Sequence, residues 1–485
     1  MENLQLNTLN DEDVQKIHKA TLEVLMNPGI RVEHEGALKV FKENGCEVDD
    51  ETMIVKIPEA VVNKALSTIP PEFTLYSRDG KHDMQWKSDG SITNNNTFGI
   101  AAGVMHYVEP GKYERKPSTL QDLADICKIL DYCDCVDCPT TPCSALDHAD
   151  DPIRSLEEVR AMLYNTAKPL DFDSDSTFFK EYFEITKVIY DGDEEKAFNQ
   201  PIMTVAGCPA SPLVLDHELC ETCLEGPKYG FPLSMTSMVM ASASGPIYSA
   251  GTLVIHNAEV LTALMLAQLN KPGCKVIYSQ ATTIFDFINA SAPIGAPEIG
   301  MFASACAKLA QHYHIPCMVA GCTSDAKKPG VQSGLEKAMT CLTSCLGGSS
   351  TVFGAGMIDL GNSYSKEQLL IDNEIIKMVR QIRRGIKVND ETIDLEEIRG
   401  VGIGNDFLGQ MSTLANIDSL SNPKFLERGQ YGDWVKAGCP DAADLAHEMV
   451  VEILSKPPLN PIEDEKRAKI DAILAAKRKE LEAAQ

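Results

Sequence analysis

Eight short β-rich runs, each followed by a helix-like stretch, set the strongest limit on how this chain can fold. They occupy residues 91–98, 136–141, 168–172, 201–206, 232–238, 275–281, 315–320 and 351–355. Many are apolar on both faces, as strands of a buried parallel sheet are. Helix-like stretches lie between them at 120–130, 156–166, 213–225, 253–269, 298–312, 331–346 and 366–384. Eight successive βα units predict an α/β fold of the TIM (β/α)8 barrel type. A doubly wound open sheet alternates too, but it rarely needs eight strands in a row. The reading divides the chain into a small N-terminal α+β region (1–90), the barrel (91–399) and a loop-rich, helical C-terminal extension (400–485).

Local signals fill in the ends. Asn10 can cap a helix over 11–26, which Asn27-Pro28-Gly29 stops. A second helix is expected over 34–43, a strand over 53–57, a helix from Pro58 to about residue 67, and a hairpin of 73–77 with 82–86. The last helix, 462–484, carries Glu/Lys and Asp/Lys pairs at helical spacing and reads as solvated on most faces.

Charge excludes several functions. With 44 Lys and Arg against 70 Asp and Glu, the formal charge is −26, which repels phosphate backbones and anionic lipid. Neither nucleic acid nor a membrane surface is an expected partner. Residues 1–13 are polar and acidic and lack the pattern of a secretory signal. The longest apolar stretch, 253–269, is broken by His256, Asn257, Glu259, Thr262 and Gln268, so it reads as a buried helix or a subunit contact. The 16 cysteines, in a chain without an export signal, are read as reduced thiols of a cytoplasmic protein.

In a barrel, chemistry gathers at the C-terminal ends of the strands. Those ends read Asp171-Phe172-Asp173, Gly207-Cys208-Pro209, Ser237-Met238, Gln280-Ala281-Thr282, Gly321-Cys322-Thr323 and Gly354-Ala355-Gly356. The glycines Gly207, Gly321, Gly354 and Gly356 either let a flat cofactor approach the backbone or simply make tight turns. Phe98, Phe172, Met235, Tyr278 and Phe353 supply aromatic and thioether surface for a cation without N–H groups, or ordinary core. Cys133, Cys135, Cys138 and Cys143 match no strong metal spacing, and with Cys220 and Cys223 they are read as structural. His256 and Glu259 are read as a polar contact between helices or subunits. Glu298 and Glu336 suit helix starts through the dipole. Walker, Rossmann, H-E-x-x-H and G-x-S-x-G motifs are absent from the sequence.

Blocks spread along nearly the whole chain resemble the trimethylamine methyltransferase family. They are Ala20 to Leu25 with Gly29-Ile30-Arg31-Val32, His34, Ala37-Leu38 and Gly45; Tyr76 to Gly80; and Gly245-Pro246, Ala250 to Leu253, Asn257-Ala258-Glu259 and Ala267-Gln268-Leu269. They continue as Gly295 to Glu298, Gly321 to Lys327 with Gln332 and Glu336-Lys337, and Phe353 to Gly356 with Asp372-Asn373-Glu374. Gly330 and Ala296 depart from the pattern, where an acidic residue and Ser are expected. The resemblance implies a TIM barrel that passes a methyl group to a separate corrinoid protein. It implies cobalamin carried by that partner, no tightly bound cofactor, no metal, and a homo-oligomer.

Some members of the family carry pyrrolysine and act on trimethylamine. This chain uses only the twenty standard residues, and the resemblance places the equivalent position near Cys322, which joins the substrate-binding candidates. A neutral amine is a poor electrophile, whereas a quaternary ammonium leaves as a neutral amine and needs only to be held in line in a dry site. The resemblance therefore points to a betaine: glycine betaine, proline betaine, carnitine or γ-butyrobetaine. Competing readings are a zinc-dependent methanol or thiol methyltransferase, a non-catalytic betaine-binding protein, and a lyase using Lys327 or Lys328 for a Schiff base.

Overall fold

Seven of the eight β-rich runs form one parallel sheet in the computed structural model, which describes residues 4–97, 99, 101–173 and 175–484. The strands are β1 (Asn94–Thr97), β2 (Leu170–Asp173), β3 (Met203–Gly207), β4 (Leu233–Ser237), β5 (Val276–Gln280), β6 (Cys317–Ala320) and β7 (Thr351–Ala355). Their order across the sheet is β1-β7-β6-β5-β4-β3-β2. The eighth run, 136–141, makes two isolated parallel bridges, Cys138 to Asn96 on β1 and Thr140 to Asp171 on β2. Both edges of the sheet are thus bridged by one segment, through Thr97 N–H to Cys138 O and Asp171 N–H to Pro139 O. The result is a mixed, barrel-like α/β fold.

Period-two alternation sorts the strand residues into two layers. Val276 and Tyr278 of β5 join the large cluster between sheet and helices. Ile277, Met318 and Phe353 join a separate interior cluster with Phe73, Leu75, Met84 and Trp86. Those last four belong to the antiparallel hairpin of Glu72–Leu75 and Met84–Lys87. The hairpin is more than decoration, because it seals the sheet at the starts of its strands. Asn94 donates to Gln85 O, Ser350 to Lys87 O, and Tyr76 N–H to Pro201 O.

The N-terminal helices form where expected. Asn10 caps Asp11–Met26 in a capping box with Asp13. His34 caps Glu35–Glu43. Both pack on the apolar helix Ser249–Asn270, whose buried residues run from Thr252 to Gln268. This helix is long and apolar enough to cross a bilayer, but 78% of its apolar window is buried inside the chain. The chain's own N-terminal region, rather than a second subunit, covers it.

Two features exceed the sequence reading. Gly103–Glu109 and Lys112–Pro117 form a hairpin that joins Met357–Ile358 and Ser363–Tyr364 in a four-stranded sheet beside the carboxyl ends of β1 and β7. Val214–Leu215, after β3, pairs with Ile30–Val32 and ties the N-terminal region to the main sheet. At the C-terminus, Ala442–Ser455 packs on Lys366–Arg384 and Leu120–Leu130, and Asp464–Ala484 on Phe179–Ile189.

Candidate active site

A cavity of about 620 Å³ opens at the carboxyl ends of the strands, within the size range of small-molecule sites. Its wall comes from the loops after β1, β3, β4, β5, β6 and β7, in the form of Gly99, Pro209, Met238, Ala281, Thr323 and Gly361 among others, and from Phe353 of β7 itself. Met240 and Met357 add thioethers, and Ile294, Ile299 and Leu360 add aliphatic surface. Among the described residues, not one that lines it is ionisable. Ser211, Thr283 and Thr323 already donate to Glu259, Pro293 O and Ile294 O. Ser244 Oγ accepts from Met240 N–H, which leaves its own hydrogen for a ligand.

Ionisable groups act from behind the lining. Glu259, fully buried, accepts from Ser211 Oγ, Ser237 Oγ and Leu213 N–H, which clamps the loop after β3 to the end of β4. Burial pushes its carboxyl up, opposed by these hydrogen bonds. His256 meets Thr282 at 2.9 Å through Nδ1, and burial pushes it down to about 3. It is therefore a neutral imidazole, and each residue of this pair bonds to a strand-end loop rather than to the other. Glu336 accepts from Ser324 Oγ and Asp325 N–H. Asp325 accepts from the N–H groups of Ile294 and Gly295. Lys337, buried and absent from the candidates, donates to Cys322 O, Gly354 O and Asp372 Oδ2.

Below the cavity the interior turns polar. Asp171 faces inward from β2 and accepts from Thr140 Oγ1 and Thr204 Oγ1. Ser234 Oγ, Ser279 Oγ, Asn96 Oδ1 and Trp86 Nε1 are buried without a partner among the described residues. Buried polar atoms of this kind call for water or a ligand. Asp171 stood in the strand-end motif Asp171-Phe172-Asp173, where its aromatic neighbour was preferred. A carboxylate between the apolar Leu170 and Phe172 was the signal for the inward face.

Of the expected cage residues, Phe353 alone among the described ones lines the cavity. Phe98 lies outside the described residues. Phe172 points the other way, with its ring 4.8 Å from that of Tyr182. Met235 meets Cys223, and Tyr278 donates to Asn257 on the apolar helix. Cys322 joins the same outer cluster, beside Cys341. Phe172, Met235 and Tyr278 sit on the outward phase of the pleat and Cys322 lies two residues past β6, so proximity to the mouth did not bring them into it.

The four glycines meet protein rather than an open mouth. A Cβ on Gly207 would strike Leu219, and one on Gly321 would strike Val352 and Ser344. Gly354 (φ +135°) and Gly356 (φ +83°) have left-handed backbone, against Gly321 O and the Tyr364 ring. Close strand, helix and turn packing accounts for all four.

The cysteine segment does not converge. Cys133 Sγ donates to Ile129 O and Cys138 Sγ to Pro139 O, while Cys143 is buried in the outer cluster. Cys220 and Cys223 bond to Leu215 O and Ala263 O. Potential ligand atoms come together instead at His34, His217 and Glu221. There His34 Nδ1 accepts from Ala37 N–H, so its Nε2 holds a hydrogen toward Glu221 rather than a free lone pair. Lys327 pairs with Asp359 and Lys328 donates to Gly111 O, both on the exposed surface.

A parallel sheet with an apolar cavity over its carboxyl ends defines an α/β protein built to hold a small molecule there. The chain belongs to the trimethylamine methyltransferase (MTTB) family, whose model matches residues 2–482, and it is a methyltransferase of that family. Trimethylamine methyltransferase MttB of Methanosarcina thermophila is 44% identical over 461 residues, 95% of each chain. Trimethylamine methyltransferase MttB of Desulfitobacterium hafniense is 33% identical over 98% of this chain and 94% of its own length. A glycine betaine methyltransferase of Desulfitobacterium hafniense is 29% identical over 98% of both. The solved structure of Methanosarcina barkeri monomethylamine methyltransferase covers 93% of this chain and 95% of its own, at 12% identity and a TM-score of 0.48.

Proposed function

We propose that this chain transfers a methyl group from a quaternary amine of the betaine class to a separate corrinoid protein, at the mouth of a (β/α)8 barrel. The observation that carries the reading is that the described residues lining the cavity include no ionisable side chain. Such a wall can hold and orient a donor that is already activated, but it supplies no proton to a poor leaving group. When docked, the corrinoid supplies a strongly nucleophilic cobalt(I) that accepts the methyl group. The chain's own residues provide the rest. Phe353 offers an aromatic face to the ammonium, the thioethers of Met238, Met240 and Met357 line the space around it, and Ser244 has a hydrogen for the carboxylate.

The barrel reading is supported by the segment that bridges both sheet edges. Docking of a protein above the cavity is supported by its rim, where Ile247, Tyr248, Phe287 and Ile288 expose large apolar side chains. The cavity is of small-molecule size, so the corrinoid stays on its carrier, above the rim. This leaves cobalamin as the partner's cofactor.

The test supplies reduced corrinoid protein with a panel of glycine betaine, proline betaine, carnitine, γ-butyrobetaine, trimethylamine, methanol and thiols. The corrinoid spectrum and the demethylated product are both followed. One betaine giving stoichiometric product supports the proposal. The trimethylamine methyltransferases are more similar in sequence than the glycine betaine enzyme, so trimethylamine is the competing donor, and turnover of trimethylamine alone would sink the quaternary-amine reading. Methanol or thiol turnover would restore the zinc alternative.

Methyl transfer from a quaternary amine is also expected to be flat with pH, within about two-fold between pH 6 and 9. The donor does not titrate, the lining does not titrate, and His256, pushed down to about 3, stays neutral throughout. A sigmoidal or bell-shaped single-turnover profile would bring an acid or base into the step.

A further inference from the structure

A second cavity, of about 710 Å³, opens at the amino ends of β1 and β7, the end of the sheet opposite the mouth. Residues 89–94 lead into β1 along one side of it, and Gly348 leads into β7 on another. The last turns of the helix Lys366–Arg384 close it with Arg380, Arg383 and Arg384. Against these three cations stand two acids, Asp89 and Asp137. The sign of the lining is therefore the reverse of the chain's, in which 70 acids outnumber 44 bases. Asp137 is already engaged, since it accepts from Arg380 at 2.6 Å and from Asn95 N–H. Asp89 is exposed and accepts from Ser91 N–H. Two guanidiniums are left whose described partners are neutral: Arg383 donates to Gly90 O and Arg384 to Gln381 Oε1.

Arg383 is half-buried. Burial first, and then the neighbouring Arg380, push its guanidinium down, with Cys345 pulling the other way. An arginine nevertheless stays charged in a protein, so this cation is held partly out of water with no carboxylate beside it among the described residues. Cys345 lies in the same wall and feels the same field: Cys341, then Arg383 and Arg380, pull its thiol down against burial. A helix dipole favours cations in a last turn, but exposed arginines would serve it as well. It does not account for a half-buried one facing an open cavity.

We propose that this cavity binds a small dianion, a phosphate ester or a dicarboxylate, gripped by Arg383 and Arg384. Two guanidiniums without acids match two negative charges, and a planar fork pairs with phosphate or carboxylate oxygens through parallel hydrogen bonds. Arg383 spends one N–H on Gly90 O and keeps the rest of its fork for the ligand. The volume is that of a small-molecule site, so the ligand can carry an organic body as well as its charge. This inference goes beyond the proposed reaction, which lies at the other end of the sheet, and does not depend on it.

The test is isothermal titration calorimetry of the full chain at low salt with glycerol 3-phosphate, inorganic phosphate and succinate, and with glycerol as the neutral control. At least one dianion is expected to bind with a dissociation constant of about 1 mM or below, and glycerol is not. The ranking of glycerol 3-phosphate against succinate tells the phosphate ester from the dicarboxylate. Arg383→Gln and, separately, Arg384→Gln are each expected to weaken binding at least ~10-fold. Lys180→Gln, on the exposed face of the helix Phe179–Ile189, removes one positive charge elsewhere and should leave binding unchanged. Circular dichroism checks the fold, and Arg384 is exposed, so its variant carries the test if Arg383→Gln does not fold. Binding by none of the three dianions, binding that either folded arginine variant keeps, or an equal loss in Lys180→Gln overturns the proposal.

Discussion

Replacing Lys337 by methionine is expected to lower the unfolding free energy by about 3–5 kcal/mol, the usual cost of orphaning a buried charge. Lys337 and Asp372 are both fully buried, 2.7 Å apart. Asp372 also accepts from Gly356 N–H and Gln368 Nε2, and burial pushes its carboxyl up against the pull of Lys337. Removing the lysine leaves that carboxylate without its cation and frees Cys322 O and Gly354 O at the ends of β6 and β7. Asp372→Asn is expected to lose a similar amount. The double variant Lys337→Met with Asp372→Asn removes both charges, so it should cost less than the two single losses together by more than about 1 kcal/mol. Urea unfolding of the four proteins closes the cycle. Additive losses would mean that the two residues stabilise the chain separately. Because these turns place Thr323 and Phe353 on the cavity wall, the single variants should lose turnover even at temperatures where they remain folded.

That pair illustrates what could be read from residues alone. Lys337 and Asp372 both stood in the blocks of family resemblance, yet neither was read as a partner. The clue was helical phase, since Lys337 shares a face with Ser333, Thr340, Cys341 and Ser344, all buried. The strands were legible because an apolar run bounded by turns is a strong local signal. Their facing was not. In a strand apolar on both sides, hydropathy gives no sign of which residues look inward, so Tyr278 and Met235 were as eligible as Phe353. The polar residues Asp171, Ser234 and Ser279 held the phase, since each sits on the inner face. The hairpin of Gly103–Glu109 and Lys112–Pro117 was hidden for another reason. Its outer strand is charged and largely exposed, and it is stabilised by pairing with Ser363–Tyr364, about 250 residues away in sequence, which no local pattern records. The stretch from residue 400 was legible as loop-rich, but its exposure depends on which surfaces the rest of the chain already covers.

Replacing Ala281 by phenylalanine is expected to cut the methyl-transfer rate at least ~100-fold while leaving the fold intact, because a displacement of about 1 Å from in-line geometry can cost that much. Ala281 follows β5, donates its N–H to Ser237 O and lines the cavity. It is only half-buried, so an added ring extends into open space rather than into packed core, and the stability loss should stay below that of the Lys337 variants. The described cavity lining has no ionisable residue to remove, which makes filling it a cleaner probe than deleting a polar side chain. A ring there displaces the donor from the position facing the rim without changing any charge. Ala281→Ser adds one atom and is the matched control, expected to keep most of the rate. Single-turnover measurements separate the causes. A lost rate with unchanged corrinoid-protein binding places the donor in this cavity. Full turnover by the phenylalanine variant would place it elsewhere, and the polar layer around Asp171 would be the next site to test, since its unpaired Ser234 and Ser279 hydroxyls and its inward carboxylate could receive a cation below the mouth.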